Sequence, residues 1–179
     1  MLNRFSVALS TAMLAAFAST ASAQATQTSN PVELGIDAVI ATTLGNTKVT
    51  TVSIPSGDFR VGFFVNNNLS IEPRVGLNSV SGGGSTYTMY NAQIGALYHF
   101  STAPVGAGVY IRPFAGLVGV SGGGSSTQGD VGIGLGTKIP FAERLATRIE
   151  VSYMHAFSSN MGDSGNQLAA SIGLSFFTK

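Results

Sequence analysis

Apolar and polar residues alternate one by one along most of this chain, the period of a β-strand with two unlike faces. Leu34, Ile36, Ala38 and Ile40 alternate with Glu33, Gly35 and Asp37, and Phe59, Val61, Phe63 and Val65 with Asp58, Arg60 and Gly62. Leu69, Ile71, Pro73, Val75 and Leu77 stand against Ser70, Glu72, Arg74, Gly76 and Asn78. The alternation continues through 90–100, 111–117, 131–139, 149–153 and 168–176, so the spacing predicts eight strands. The second, from about Lys48 to Val65, is interrupted at Pro55-Ser56-Gly57, since Pro brings no amide to a ladder and Gly tolerates a bulge.

The turns fall into two unequal sets. Asn66-Asn67-Asn68 and the stretch Phe141 to Arg144 are tight; Ser81 to Ser85, Ser121 to Ser125 and Ser158 to Gly165 are Gly/Ser-rich, and Gly45-Asn46 marks the first turn. Two segments forty positions apart repeat one plan: Ile71-Glu72-Pro73, Gly76-Leu77, Val80 and Ser81-Gly82-Gly83-Gly84-Ser85, then Ile111-Arg112-Pro113, Gly116-Leu117, Val120 and Ser121-Gly122-Gly123-Gly124-Ser125. Each copy reads as a strand of about ten residues closing into a flexible loop, so hairpins follow one another in an up-and-down antiparallel sheet. Glu72 and Arg112 occupy the same slot of the repeat with opposite charge.

Composition decides which face meets water. Charged residues make up only 9% of the chain, against about 25% in ordinary soluble domains. The polar face consists largely of Gly, Ser, Asn and Gln, a poor soluble exterior. Turned inward, it suits the narrow interior of an eight-stranded barrel, where side chains fill the lumen. Gly132, Gly134, Gly136 and Gly173 fit that crowding, and the scattered charges become partners: Glu72, Glu150 and Asp130 with Arg60, Arg74, Arg112, Lys138 and Arg148. These charges line a narrow pore or, in the favoured reading, plug it. The fold class is therefore all-β, an eight-stranded antiparallel up-and-down transmembrane barrel. Tyr87, Phe100, Tyr110, Phe141, Phe157 and Phe176, near strand ends, are candidates for the aromatic girdles at the bilayer interfaces.

The ends of the chain agree with an exported protein. Arg4, the apolar stretch from Phe5 to Phe17 and Ala21-Ser22-Ala23 before Gln24 read as a secretory signal peptide over 1–23. Residues 24–31 form a flexible lead-in, and one barrel domain occupies 32–179. Setting Arg4 aside leaves eight basic residues against eight acidic ones, so nothing recommends nucleic acid as a partner. Cysteine is absent, which excludes disulfides and thiolate chemistry.

The signal peptide, the eight alternating segments and the last strand, Ser171-Ile172-Gly173-Leu174-Ser175-Phe176-Phe177, resemble those of the small eight-stranded outer-membrane barrels typified by the transmembrane domain of outer membrane protein A and the opacity-type surface proteins. That family usually stops on an aromatic residue, where this chain adds Thr178-Lys179. The resemblance implies a bacterial outer-membrane location and contact with outer-membrane lipid. It also implies recognition of the C-terminal strand by the barrel-assembly machinery. The oligomeric state is not fixed by any sequence feature, a monomer being favoured, and the overall reading is a non-enzymatic barrel without a cofactor, in a structural or surface role with at most narrow small-solute permeability.

Two rival readings carry chemistry of their own. His155, Ser158 and Asn160 are similar to the His-x-Ser-Asn signature of lipid A deacylases, lipid-modifying outer-membrane hydrolases, which would make His155 and Ser158 catalytic. Two residues separate His155 from Ser158 instead of one, so a strand would not set them on one face, and only Glu150 or Asp163 is near enough in sequence to orient the imidazole. A soluble secreted ligand-binding barrel would turn the apolar face inward instead. Gly132 to Lys138 hints at a phosphate loop but lacks its Gly-Lys-Ser/Thr ending, and the two His residues, on different strands, offer no metal-ligand cluster.

Overall fold

A computed structural model describes residues 31–44, 50–53, 58–82, 85–101, 107–122, 124–157 and 164–178. Its strands are β1 (Val32–Leu44), β2 (Thr50–Ser53), β3 (Phe59–Phe64), β4 (Leu69–Gly82), β5 (Ser85–His99), β6 (Gly108–Ser121), β7 (Ser125–Ala142), β8 (Leu145–Ala156) and β9 (Gly165–Phe177). Each pairs antiparallel with its neighbour, and β1 closes on β9 from Glu33↔Phe177 to Leu44↔Asn166. β2 and β3 both lie along β1 and make one interrupted stave of an eight-stave barrel: the chain advances six positions from Ser53 to Phe59 while β1 advances three, from Val39 to Ile36. The Pro55-Ser56-Gly57 interruption and the turn at Gly45-Asn46 lie outside the described residues, as do the signal peptide and most of the lead-in. Closure of β1 on β9 pairs the backbone along that seam, as a sheet in hydrocarbon requires because nothing there can satisfy free amides and carbonyls.

The strands are longer than expected. β4 and β5 carry 14 and 15 residues and pair as far as Gly82↔Ser85, while β6 and β7 carry 14 and 18 and pair as far as Ser121↔Ser125. Ser81, Gly82, Ser85, Ser121 and Ser125, expected in flexible loops, are thus ladder, while Gly83, Gly84 and Gly123 lie outside the described residues. Small residues cost a strand side-chain packing but not backbone pairing, and the ladder continues through them. A tilted crossing needs only about 9–11 residues, so these hairpins stand proud of the bilayer.

Tight turns gather at the end where β1 begins and β9 ends. There Asn66 Oδ1 accepts from the amides of Asn68 (2.9 Å) and Leu69 (2.8 Å), and Glu143-Arg144 joins β7 to β8, with Phe141 and Ala142 still in strand. The backbone amide of Thr178 donates to Val32 O at 2.9 Å and Thr178 Oγ1 accepts from the Val32 amide at 3.0 Å, which fixes the seam.

The barrel is inside-out relative to a soluble one. Ile94, Leu117, Ile133, Leu135, Val151 and Ile172 are exposed outside, while Arg60, Arg112, Arg148, Lys138, Glu72 and Glu150 are fully buried inside. Phe100 and Phe141 are exposed near the terminal end, with Phe176 beside them, and Tyr87 and Phe157 near the opposite end. Tyr110 is the exception to the girdle expectation: it is completely buried in the lumen. It shares strand parity with Arg112 and Phe114, and parity, not nearness to a strand end, sets which way a side chain points.

Candidate functional site

Period-two geometry places the polar residue of every stave in the lumen, and the register decides which of them meet. Glu33 accepts from Arg60 Nη1, from Lys138 Nζ and, at 2.7 Å, from Ser175 Oγ. Arg60 Nε donates to Asp37 at 3.0 Å, and Arg74 Nη2 stands 3.4 Å from both Asp37 Oδ2 and Glu72 Oε1. Glu72 takes Arg148 Nη1 at 2.5 Å, Arg148 Nη2 reaches Glu150 Oε2 at 2.5 Å, and Glu150 Oε1 receives Arg112 Nη2 at 2.6 Å. Four carboxylates and five cations from six staves thus form one continuous network across the barrel. Its members are shielded from water, so each depends on its partners for the solvation it has lost.

Tyr110 ties the network together. Its hydroxyl donates to Glu150 Oε2 at 2.8 Å and accepts from Arg148 Nε at 2.6 Å, while the Arg148 guanidinium lies 4.8 Å above its ring. Arg112 stacks 4.3 Å over Phe114, and Lys138 Nζ, 3.3 Å from His99 Nε2, lies 5.7 Å from the Phe64 ring centre. Toward the terminal end, His99 and Phe64, their rings stacked at 5.4 Å, and Phe177 beside Phe64 continue the filling.

Room for these long side chains comes from glycines across the ladder. Arg60 faces Gly35, Glu33 faces Gly62, Glu72 faces Gly95, Arg112 faces Gly134, Glu150 faces Gly136, and Arg148 and Asp37 both face Gly173. A Cβ on Gly35 would lie 2.1 Å from Arg60 Cζ, and one on Gly136 2.2 Å from Tyr110 Oη. Gly132 makes way for the Phe114 ring in the same manner.

Of the residues singled out from sequence, Arg60, Glu72, Arg74, Arg112, Lys138, Arg148 and Glu150 come together here. Asp130 does not join them: it is buried in the lumen beside the Gln93 side chain and makes no ion pair among the described residues. Glu33, Asp37, Tyr110, His99 and Ser175 belong to the cluster, although sequence reasoning assigns none of them to it. The signal for Glu33 and Asp37 is present, since both share the face of Gly35.

His155 lies on β8 with the opposite parity to Glu150, outside the lumen, where Nδ1 is 2.8 Å from Asn166 Oδ1 and the ring meets Phe157 edge-on at 5.4 Å. Glu150, committed to Arg112, Arg148 and Tyr110 inside, is not available to orient it. Ser158, Asn160 and Asp163 lie outside the described residues. Lys138, the last residue of the glycine-rich stretch, is an ordinary lumen position of β7. A soluble barrel with its apolar face inward is overturned by the burial pattern.

Beyond the network the lumen widens into a cavity of about 220 Å³ whose wall includes Arg74, Asn91, Gln93, Arg112 and Asp130. Asn91 Nδ2 donates to Asp58 Oδ1 at 2.9 Å on this wall.

The model of the outer membrane protein beta-barrel domain family matches residues 9–176. Among solved structures, the Neisserial surface protein A is similar with a TM-score of 0.61 and 16% identity, over 83% of this chain and 99% of that one. The N-terminal β-barrel domain of Pseudomonas aeruginosa OprF is similar with a TM-score of 0.50 and 19% identity, over 83% of this chain and 98% of that one. No curated protein matches the chain.

Proposed function

Since the chain belongs to the outer membrane protein beta-barrel domain family and is a bacterial outer-membrane protein, we propose that it serves there as a non-enzymatic structural or surface barrel whose lumen is sealed. The observation that carries this reading is the continuous ion-pair network with Tyr110 and Phe114 packed into it. Every large polar side chain at that level is held by a neighbour, and an eight-stranded barrel has no width to spare around them. Outer-membrane lipid is the partner of the apolar exterior. The end with the tight turns, where β1 begins and β9 ends, faces the periplasm, and the long Gly/Ser hairpins face outward. The aromatic C-terminal strand β9 serves as the assembly signal, with the barrel a monomer.

The experiment is conductance across planar bilayers containing the purified, folded protein. A sealed lumen gives no resolved channel steps at neutral pH and moderate salt, whereas regular steps at the wild-type sequence defeat the reading. Incubation with lipid A tests the non-enzymatic part: intact acyl chains support it, and acyl release lost in His155→Ala overturns it.

A further inference from the structure

The barrel wall opens on its outward half. On the β3 side β4 is paired only from Ser70 to Val75, although it runs on to Gly82, and β2 pairs with β1 alone. Among the described residues no Cα of β2 comes within 8 Å of one of β4, where paired strands lie about 4.8 Å apart. A slot therefore separates β2 from the outer half of β4. Below it the wall is closed: Asp58 Oδ1 accepts from Asn91 Nδ2 at 2.9 Å across Gly76, whose missing side chain leaves that bond its room. Counted from Leu69, the about 9–11 residues of a crossing end near Leu77 to Ser79. The unpaired edge thus meets the wet interface of the outer leaflet and not the hydrocarbon, where free amides and carbonyls are too costly.

The cavity above the ion-pair network reaches this slot. Its wall includes Gly76, Leu77 and Asn78 on the unpaired stretch of β4, and Val39, which pairs with Ser53 of β2. Leu77 has outward parity and is 67% exposed. Inside, the hollow is lined by apolar side chains at positions of inward parity: Val39, Met89, Phe114, Val118, Met154 and Ala169. Lower on the same strands the inward positions carry charge, with Asp37 two residues before Val39 and Glu150 four before Met154. Arg74 and Arg112 touch the hollow but are 6% and 1% exposed, so they present little charge to it. Apolar side chains around an open hollow gain nothing until apolar surface covers them.

We propose that this cup binds the alkyl chain of a single-chain amphiphile, which enters from the outer leaflet through the slot between β2 and β4 while its head group stays at the interface. The surroundings supply such chains, since the slot lies in the lipid-facing wall, with exposed Leu77 on one side and exposed Ile40 of β1 on the other. An apolar cavity of about 150 Å³ takes up benzene, so about 220 Å³ has room for a short stretch of chain. Burial of apolar surface drives the binding, and no polar atom of the wall has to be reached.

The proposal rests on the sealed-lumen reading only in that the ion-pair network forms the floor of the cup. Channel steps would overturn that reading, while binding is measured without them. The test adds 1-decanol or cyclododecanol to the full barrel in nanodiscs and follows the methyl resonances of Met89 and Met154. The expected result is saturable shifts of both with 1-decanol, and at least about tenfold weaker binding of cyclododecanol, whose ring is too broad for a slot between two strands. Ala169→Phe, which fills the cup without touching the ion-pair network, weakens 1-decanol about tenfold or more; Val118→Phe does the same if the first variant loses its folded band in unboiled gels. Shifts that grow without saturating report decanol dissolved in the bilayer only and overturn the proposal. So does cyclododecanol binding as tightly as 1-decanol, which means entry through the open mouth, or a folded Ala169→Phe barrel that binds 1-decanol unchanged.

Discussion

Glu72 meets three guanidinium groups, at 2.5 Å from Arg148, 3.4 Å from Arg74 and 3.6 Å from Arg60, and no other lumen carboxylate among the described residues is so enclosed by cations. Replacing it with Arg sets a fourth cation among them with no water to screen it. Removing one partner of a buried pair costs about 3–5 kcal/mol, and reversal costs at least that. Glu72→Arg is therefore expected to lower the urea midpoint sharply or abolish the folded band in unboiled gels, with Glu72→Gln milder. A wild-type midpoint for Glu72→Arg would contradict the inward placement of this face. Gly136→Ala tests the opposite kind of residue: its Cβ would press on the Tyr110 hydroxyl at 2.2 Å and on Ile149 O at 2.7 Å. Overpacking of this sort costs about 1–3 kcal/mol, read as a lowered midpoint with the fold retained. Gly124, where an added methyl would meet nothing within 4 Å, is the control, and Gly124→Ala is expected to change little.

At the scale of elements, the forty-residue repeat takes on a structural meaning. Glu72 on β4 and Arg112 on β6 do not pair with each other; Glu72 binds Arg148 and Arg112 binds Glu150, both on β8. The two hairpins are joined through a third. The double variant Glu72→Arg/Arg112→Glu is thus expected to stay as unstable as Glu72→Arg, because each new charge then faces its like on β8, whereas Glu72→Arg/Arg148→Glu recovers part of the loss. Equal recovery in both doubles would refute this connectivity. The strand faces were legible in the sequence because period two is intrinsic to an extended backbone. Strand ends were not: ladder pairing carries β4 to Gly82 and β6 to Ser121, and composition marks those residues as loop formers without showing whether a partner strand lies beside them.

For the whole molecule, the distribution of apolar surface predicts a depth-dependent response. Ile133 and Ile172 are 47% and 56% exposed at mid-strand positions on the lipid-facing side, whereas Phe157 lies just past the end of β8. Arg at either Ile is expected to cost about 2–4 kcal/mol of folding stability in liposomes, and Phe157→Arg about 0–1 kcal/mol, measured by urea titration. Equal costs at both heights would mean that no hydrocarbon surrounds the barrel. The same placement is expected to keep the protein in membranes through a carbonate wash.

By itself the sequence determined the eight alternating segments, the inward polar face, the outer-membrane class and seven of the charges that meet in the lumen. The strands, their faces and the charges follow from local periodicity and overall composition, and the outer-membrane class from the resemblance of the signal peptide, the alternating segments and the last strand to a known family. Tertiary structure decided the rest. Strand register set every long charged side chain of the network except Arg74 opposite a glycine, joined Glu72 to Arg148 and Arg112 to Glu150, and brought Glu33 and Asp37 into the network. It also joined Tyr110 to Glu150 and Arg148 and set Asp130 apart from the ion-pair network, on the wall of the cavity. Closure of β1 on β9 brings together residues more than a hundred positions apart, such as Glu33 and Lys138, and such distances are fixed by stagger around the barrel and not by any local pattern.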